Sequence, residues 1–364
     1  MKPINPETFL KLLLKNKINF FCGVPDSILK NFTNCIDEGD KHIITANEGN
    51  AIATAAGYHL ATKKIGLVYM QNSGLGNAIN PLTSLVNEKT YSIPMILLIG
   101  WRGENGNDEP QHLMQGEILK NQLKLLKVKY IVLNYENQKS DLVDLLRFSL
   151  KNNCAVAIIV KKNTFKELKK IKKQNSLQIS RSFAIDCILK NIDKKDLIFS
   201  STGKISRQIL QSKFYKKNYN NFFFNVGAMG HTASLAFGMS IETQKRVICI
   251  DGDGSFLMHL GSIPIIAKYK KKNFRYILLN NGAHESVGGQ KTVALNINLE
   301  ELSKNLGFSS QFSTKDPDYL IKNFKKIIDN NSNSFLEIKI NLEDSDELPR
   351  PENLKLLKKN FNRN

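Results

Sequence analysis

Two stretches decide how this chain folds: VICIDGDGSFLMHLG, residues 247–261, and YILLNNGAHESVGGQ, residues 276–290. Each runs apolar and then turns abruptly polar, which reads as a buried strand ending at a functional tip. The first strand ends at Asp253, the second at Asn280-Asn281. Between them SIPIIAKYKKK, residues 262–272, reads as a helical crossover, long enough to bring the two strands together in parallel. The polar tips then meet beyond the carboxyl ends of the strands, where doubly wound sheets bind ligands. A carboxylate, an amide oxygen and a backbone carbonyl are hard oxygen ligands. Magnesium accepts such a set and completes it with phosphate oxygens and water. Gly252 and Gly254 flank the aspartate and let a diphosphate approach the backbone. A lone GDG reads as well as a turn, with Asp253 capping and the asparagines as turn formers. The paired asparagines at this spacing favour a metal–diphosphate site.

Outward from this pair the same alternation continues. ETFLKLLLKNKI (7–18) reads as an amphipathic helix, and NFFCGVP (19–25) as a short strand and turn. NAIATAAGYHLATK (50–63) reads as a small-residue helix, and KIGLVYMQ (64–71), YSIPMILLIGW (91–101) and CAVAIIVKK (154–162) as buried strands. NTFKELKKIKKQNSLQISR (163–181) is basic and polar, a linker with a helical piece. The pattern then restarts with strands in DLIFSSTG, NNFFFNVG, RVICIDGDG, YILLNNG and SFLEIKIN. Continuous apolar strands between helices mark a parallel sheet covered on both faces. The expectation is α/β: two doubly wound parallel-sheet domains, 1–165 and 182–350, joined by a linker at 166–181 and followed by a basic tail at 351–364.

Composition narrows the function. The net charge is +19, from 52 Lys and Arg against 33 Asp and Glu. Lysine is scattered and aromatics are not interleaved with it, so a nucleic-acid platform is not expected. The five cysteines form no CxxC pair and sit mostly in apolar runs, as reduced thiols of a cytosolic protein do. Neither a signal peptide nor a membrane span is expected, since no apolar run approaches the roughly 20 residues that a span needs.

The motif GDG, then 25 residues from Ser255 to Leu279, then NN resembles the thiamine diphosphate-binding motif of thiamine-dependent enzymes. The resemblance implies that Asp253, Asn281 and the Ala283 carbonyl bind Mg2+ and that Gly252, Gly254 and Ser255 lie against the cofactor. ANEGNAIATAAGYHLAT (46–62) resembles the family's pyrimidine-binding segment, which places Glu48 where a glutamate hydrogen-bonds the aminopyrimidine ring. On its own, Glu48 reads equally as a carboxylate facing a helix N-terminus. FCGVPDSILKNF, YMQNSGLGNAINPLTSL, IPMILLIGWRG, DEPQH, STGKISRQ, VGAMGHTASLAFG and NNGAHESVGGQ extend the resemblance over residues 20–292. Within the thiamine diphosphate-dependent decarboxylases they are most similar to the phosphonopyruvate decarboxylases, which lack a middle domain.

That resemblance implies decarboxylation of 3-phosphonopyruvate to phosphonoacetaldehyde, with sulfopyruvate or another 2-oxo acid as the alternative substrate. It also implies a homodimer or larger assembly with the active site at a subunit interface. Met229 takes the place of the residue that props the cofactor bent, with core filling as its alternative. Ser73, Thr202, Gly203 and Gly227 take cofactor-contacting places. Asp26 matches an active-site aspartate and equally a helix cap. His112, in a polar segment read as a loop, is a proton shuttle or a surface histidine. Lys204, Arg207, His284 and Gln290 are candidates for holding the substrate's anionic group. The chain departs from longer decarboxylases in two ways: it lacks their His-His pair, and it has Val287 where they carry a glutamate, a role that His284 or Glu285 could take over.

Overall fold

Every side chain of the segment Met95–Gly100 is buried, and its neighbours alternate between two apolar layers. Met95, Leu97 and Ile99 join one cluster, while Ile96 and Leu98 join the other. Such a strand needs cover on both faces, and a parallel sheet with helices on each side provides it. The computed structural model describes residues 2–37, 39–106, 108–168, 175–215, 220–343 and 348–362. It divides into two units, residues 1–171 with 287–290, and residues 172–286 with 291–364.

The first unit contains strands β1 (Phe21–Gly23), β2 (His42–Ile44), β3 (Gly66–Gln71), β4 (Met95–Gly100), β5 (Lys129–Val132) and β6 (Val156–Val160). Their order is β2-β1-β3-β4-β6-β5, and all pairs are parallel. The second unit contains β7 (Leu197–Ser200), β8 (Phe222–Phe224), β9 (Val247–Gly252), β10 (Phe274–Asn280), β11 (Ser310–Thr314) and β12 (Ser334–Lys339). Their order is β11-β12-β10-β9-β7-β8, again all parallel. Read from the β8 edge, this is the winding of the first sheet. The strand order reverses between β1 and β3, and between β7 and β9. Doubly wound sheets bind ligands at such points.

In the second sheet Ile277 and Leu279 of β10 enter one apolar layer, and Phe274, Tyr276 and Leu278 the other. A buried side chain of this kind contributes about 1.5–3 kcal/mol relative to leaving it in water. Phe361, past the tail helix Leu354–Asn360, packs edge-on against Phe199 and Phe223 with ring centroids 5.3 and 5.6 Å away. The described part of the basic tail therefore folds onto its own unit.

The expected helical piece in the linker is not found in residues 164–168 or 175–180, and residues 169–174 lie outside the described residues. The next helix, Arg181–Asn191, begins one residue before the expected domain boundary.

Leu278 is fully buried at the centre of the second sheet. Leu278→Ala should therefore cost about 2–5 kcal/mol in urea unfolding. A loss below about 1 kcal/mol would contradict the two-layer packing.

Candidate active site

Glu48 is the first residue of the helix Glu48–Thr62, set there by Asn47, whose side chain accepts the Asn50 N–H at 3.0 Å. The Glu48 side chain is fully buried. Oε2 accepts a hydrogen bond from Asn77 Nδ2 at 2.8 Å, whereas Oε1 is buried with no partner among the described residues. A buried carboxylate oxygen without a donor is costly and calls for one. The segment carrying Asn77 can close over Glu48 because residue 74 is glycine; a Cβ there would overlap Oε1. Burial raises the Glu48 carboxyl above its ordinary range, against the Asn77 hydrogen bond.

At the β1/β3 switch point Asp26 is fully buried. Its Oδ1 accepts the N–H groups of Ile28 and Leu29 at 3.1 and 3.3 Å, which closes the turn before the short helix Lys30–Thr33; the cap position of that helix is Leu29, not Asp26. Its Oδ2 accepts Gln71 Nε2 at 2.9 Å, and Ser73 Oγ donates to Gln71 Oε1 at 2.8 Å. Asp26 thus organises the turn that presents Ser73. Burial raises its carboxyl as well.

His112 lies inside the helix Pro110–Leu125, not in a loop as expected. Pro110 at the first helical position is the local signal that could have shown it. The approach to that helix is held by Arg102 and Asp108, which form an ion pair. Gln290, grouped with this unit, donates Nε2 to Thr33 Oγ1 and Asn34 Oδ1, both at 2.9 Å.

In the second unit Gly252 of β9 stands in register with Leu279 of β10, so Asp253 and the asparagine pair emerge side by side. Asp253 is 3% exposed. It accepts hydrogen bonds from the Thr292 hydroxyl and the Asn281 backbone N–H. Burial outweighs these and raises its carboxyl to about 6. The two asparagines divide their work. Asn280 faces away, donating Nδ2 to Glu337 Oε1 at 2.7 Å. Asn281 Oδ1 accepts the Ala283 N–H at 3.0 Å, and its Nδ2 donates to Glu285 Oε2 at 2.9 Å.

Gly254 lets His284 lie on the turn, since a Cβ there would fall 2.8 Å from His284 Nδ1. Burial lowers His284 to about 4, so the ring is neutral at pH 7. Lys204 Nζ lies 2.9 Å from Glu285 Oε1, so this candidate for the substrate's anionic group is already paired with a carboxylate. Arg207 is on the same helix, Lys204–Gln211. Ser255 lies in the short helix Asp253–Met258.

Thr202 Oγ1 donates to the Val226 carbonyl at 2.8 Å, tying the β7 end, with Gly203, to the turn after β8. In that turn the Met229 N–H donates to the Gly227 carbonyl at 2.9 Å. Met229 is half-buried and belongs to neither apolar layer, which speaks against core filling.

Residues 6–147 match the N-terminal thiamine pyrophosphate-binding domain of thiamine pyrophosphate enzymes, and residues 201–338 match the C-terminal one. The sulfopyruvate decarboxylase subunit alpha of Methanocaldococcus jannaschii is 38% identical over 119 residues, 32% of this chain and 68% of that protein. The chain belongs to the thiamine pyrophosphate enzyme family. A phosphonopyruvate decarboxylase of Streptomyces hygroscopicus is 29% identical over 307 residues, 79% of this chain and 75% of that protein. A sulfopyruvate decarboxylase of Methanosarcina acetivorans is 25% identical over 363 residues, 93% of this chain and 92% of that protein.

The residues present fit the family's cofactor, thiamine diphosphate. Glu48 carries a buried oxygen that lacks a donor, and Asp253 with Asn281 presents the mixed carboxylate–amide set suited to a hard cation. Thr292, Gln71, Arg102 and Arg181 are supporting residues that sequence reasoning did not single out. The partners of Thr292, Gln71 and Arg181 are distant in the chain, whereas Asp108 lies only six positions from Arg102.

The Glu48 shift has a measurable consequence. With the folded pKa raised, its contribution to stability is fully present below the ordinary carboxylate pKa. It is lost as pH rises through the folded pKa. In ligand-free protein, Glu48→Gln should therefore gain Tm over wild type as pH rises above the ordinary carboxylate range. A difference independent of pH would contradict the buried, unpartnered carboxylate.

Proposed function

We propose that this thiamine pyrophosphate enzyme is a Mg2+-dependent 2-oxo acid decarboxylase acting on 3-phosphonopyruvate. The observation that carries the reading is the fully buried Glu48 with one oxygen lacking a donor, in the segment that resembles the family's pyrimidine-binding motif. Decarboxylation of a 2-oxo acid breaks the bond between the carboxylate and carbonyl carbons and leaves an electron pair on the latter. No side chain can delocalise that pair; bound thiamine diphosphate supplies the electron sink. Loss of CO2 from phosphonopyruvate, followed by uptake of one proton on that carbon, gives phosphonoacetaldehyde.

The chain's own residues have separate tasks in this scheme. Glu48 would hydrogen-bond the pyrimidine ring through its unpartnered oxygen, while Asn77 holds the other. Asp253, Asn281 and the Ala283 carbonyl would hold Mg2+ beside the diphosphate. Thr202, Gly203, Gly227, Gly252, Gly254 and Ser255 would shape the backbone around the cofactor, and Met229 would support it from the turn after β8. Ser73 is oriented through Gln71 by Asp26. Asp26 and His112 are the candidates for moving protons, and Arg207, His284 and Gln290 those for binding the anionic end of the substrate.

Relatives named for phosphonopyruvate align over 79% of the chain at 29% identity, which supports this substrate. Sulfopyruvate is the second reading, favoured by the 38% and 34% identity of separate alpha and beta subunits to stretches of this chain. We propose a cytoplasmic homodimer or larger assembly with its site at the subunit interface. Leu235, Ile241, Ile265 and Tyr269, which leave apolar surface exposed on the second unit, support it.

Purified protein with thiamine diphosphate and Mg2+ should release CO2 from phosphonopyruvate with a higher kcat/KM than from sulfopyruvate or pyruvate. Preference for sulfopyruvate would overturn the substrate, and release from none would overturn the reaction. Glu48→Ala should lower kcat by at least about a hundredfold while the far-UV spectrum and cooperative unfolding persist. Near wild-type turnover in that variant would refute the role given to Glu48.

A further inference from the structure

The side-chain amide of Asn281 lies between two neighbours that can each make only one kind of hydrogen bond. Its Oδ1 faces the Ala283 N–H, which can only donate, and its Nδ2 faces the Glu285 carboxylate, which can only accept. A half-turn of the amide would lose both bonds and aim N–H groups at the position a cation needs. The orientation therefore depends on Glu285 being in place.

Glu285 is itself held from the other side. Arg181 Nη1 lies 2.5 Å from Oε2, and Lys204 Nζ lies 2.9 Å from Oε1. Arg181 is 2% exposed, and the Glu285 and Lys204 side chains are 13% and 18% exposed. The two cations open separate helices, Arg181–Asn191 and Lys204–Gln211. Arg181 is positioned in turn by Glu343, which lies 3.7 Å from its Nη2 and also accepts from Ser182 N and Oγ at 3.1 and 2.7 Å. An exposed ion pair would contribute little. Here the groups are largely withdrawn from water, where a carboxylate is tolerated when paired and removing one partner is strongly felt.

We propose that Glu285, clamped by Arg181 and Lys204, is the positioning residue that keeps the Asn281 amide oxygen turned toward the cation, so that Mg2+ affinity depends on this ion-pair network. The proposal rests on the reading of Asp253 and Asn281 as metal ligands. Glu285 and Lys204 then have roles other than replacing the glutamate of longer decarboxylases and holding the substrate's anionic group. Partners that orient metal ligands typically change metal affinity by about 10–100-fold when removed.

The test uses the full chain stripped of divalent ions, with thiamine diphosphate at a fixed saturating concentration and Mg2+ titrated. The readouts are the Mg2+ midpoint of the thermal shift and, separately, the ligand-free Tm. Glu285→Ala should move the Mg2+ midpoint upward by about 10–100-fold. Glu285→Gln, whose amide oxygen can still accept from Asn281 Nδ2, should restore most of the loss, and Lys204→Met should fall between the two. Asp253→Ala serves as the control and should abolish the Mg2+ response. A Glu285→Ala midpoint within about twofold of wild type, beside an abolished response in Asp253→Ala, would overturn the inference alone, as would a lowered ligand-free Tm with an unmoved midpoint. An unchanged response in Asp253→Ala would overturn the metal-ligand reading beneath it. Should Glu285→Ala not fold, unmoved midpoints in both Glu285→Gln and Lys204→Met would overturn the inference.

Discussion

The pairing of Gly252 with Leu279 is the constraint on which the second unit's site depends. A parallel ladder in that register carries Asp253 off the end of β9 just where Asn280 and Asn281 leave β10. A shift of one residue would turn the asparagine pair over, placing Asn280 toward Asp253 and Asn281 toward Glu337. Burial protects the register. Ile277 and Leu279 are packed on one face and Tyr276 and Leu278 on the other, so a slip would expose or overfill both layers at once. The core thus sets the geometry of the polar tips.

The two units apply the same device to different groups. Each has a six-stranded parallel sheet with the same winding, and each places a carboxylate at the first residue of a helix: Glu48 in one and Asp253 in the other. Both are nearly withdrawn from water, and burial raises both carboxyls above their ordinary range. Glu48 buries an oxygen with no partner among the described residues, and a fold gains no stability from that. Such a group marks a position where a ligand supplies the missing partner. In Asp26, Asp251 and Asp253 nearby N–H and hydroxyl groups engage the carboxyl, from Ile28, Leu29 and Gln71 in the first, from Gly252 and Tyr276 in the second and from Thr292 and Asn281 in the third.

The central strands were legible in the sequence because burial on both faces produces unbroken apolar runs. β2, β5 and β11 were not, and all three lie at sheet edges. There one side of the strand is open and Lys129, Gln311 and Ser313 interrupt the pattern. Asp253, Asn281 and Glu48 were legible because polar residues at the ends of buried segments stand out. Arg181 was not, since its partner Glu285 is 104 positions away, and neither was Thr292, 39 positions from Asp253. Lys204 carries the opposite lesson. Its charge was plain, yet only the fold shows that a carboxylate of the same unit takes it up.

We propose that this chain holds thiamine diphosphate through a divalent cation on Asp253 and Asn281. Calorimetric titration of thiamine diphosphate into protein stripped with a chelator tests this. Binding is expected with Mg2+ present, none measurable without it, and none in Asp253→Ala under either condition. Equal binding with and without Mg2+, or undiminished binding in Asp253→Ala, would contradict it.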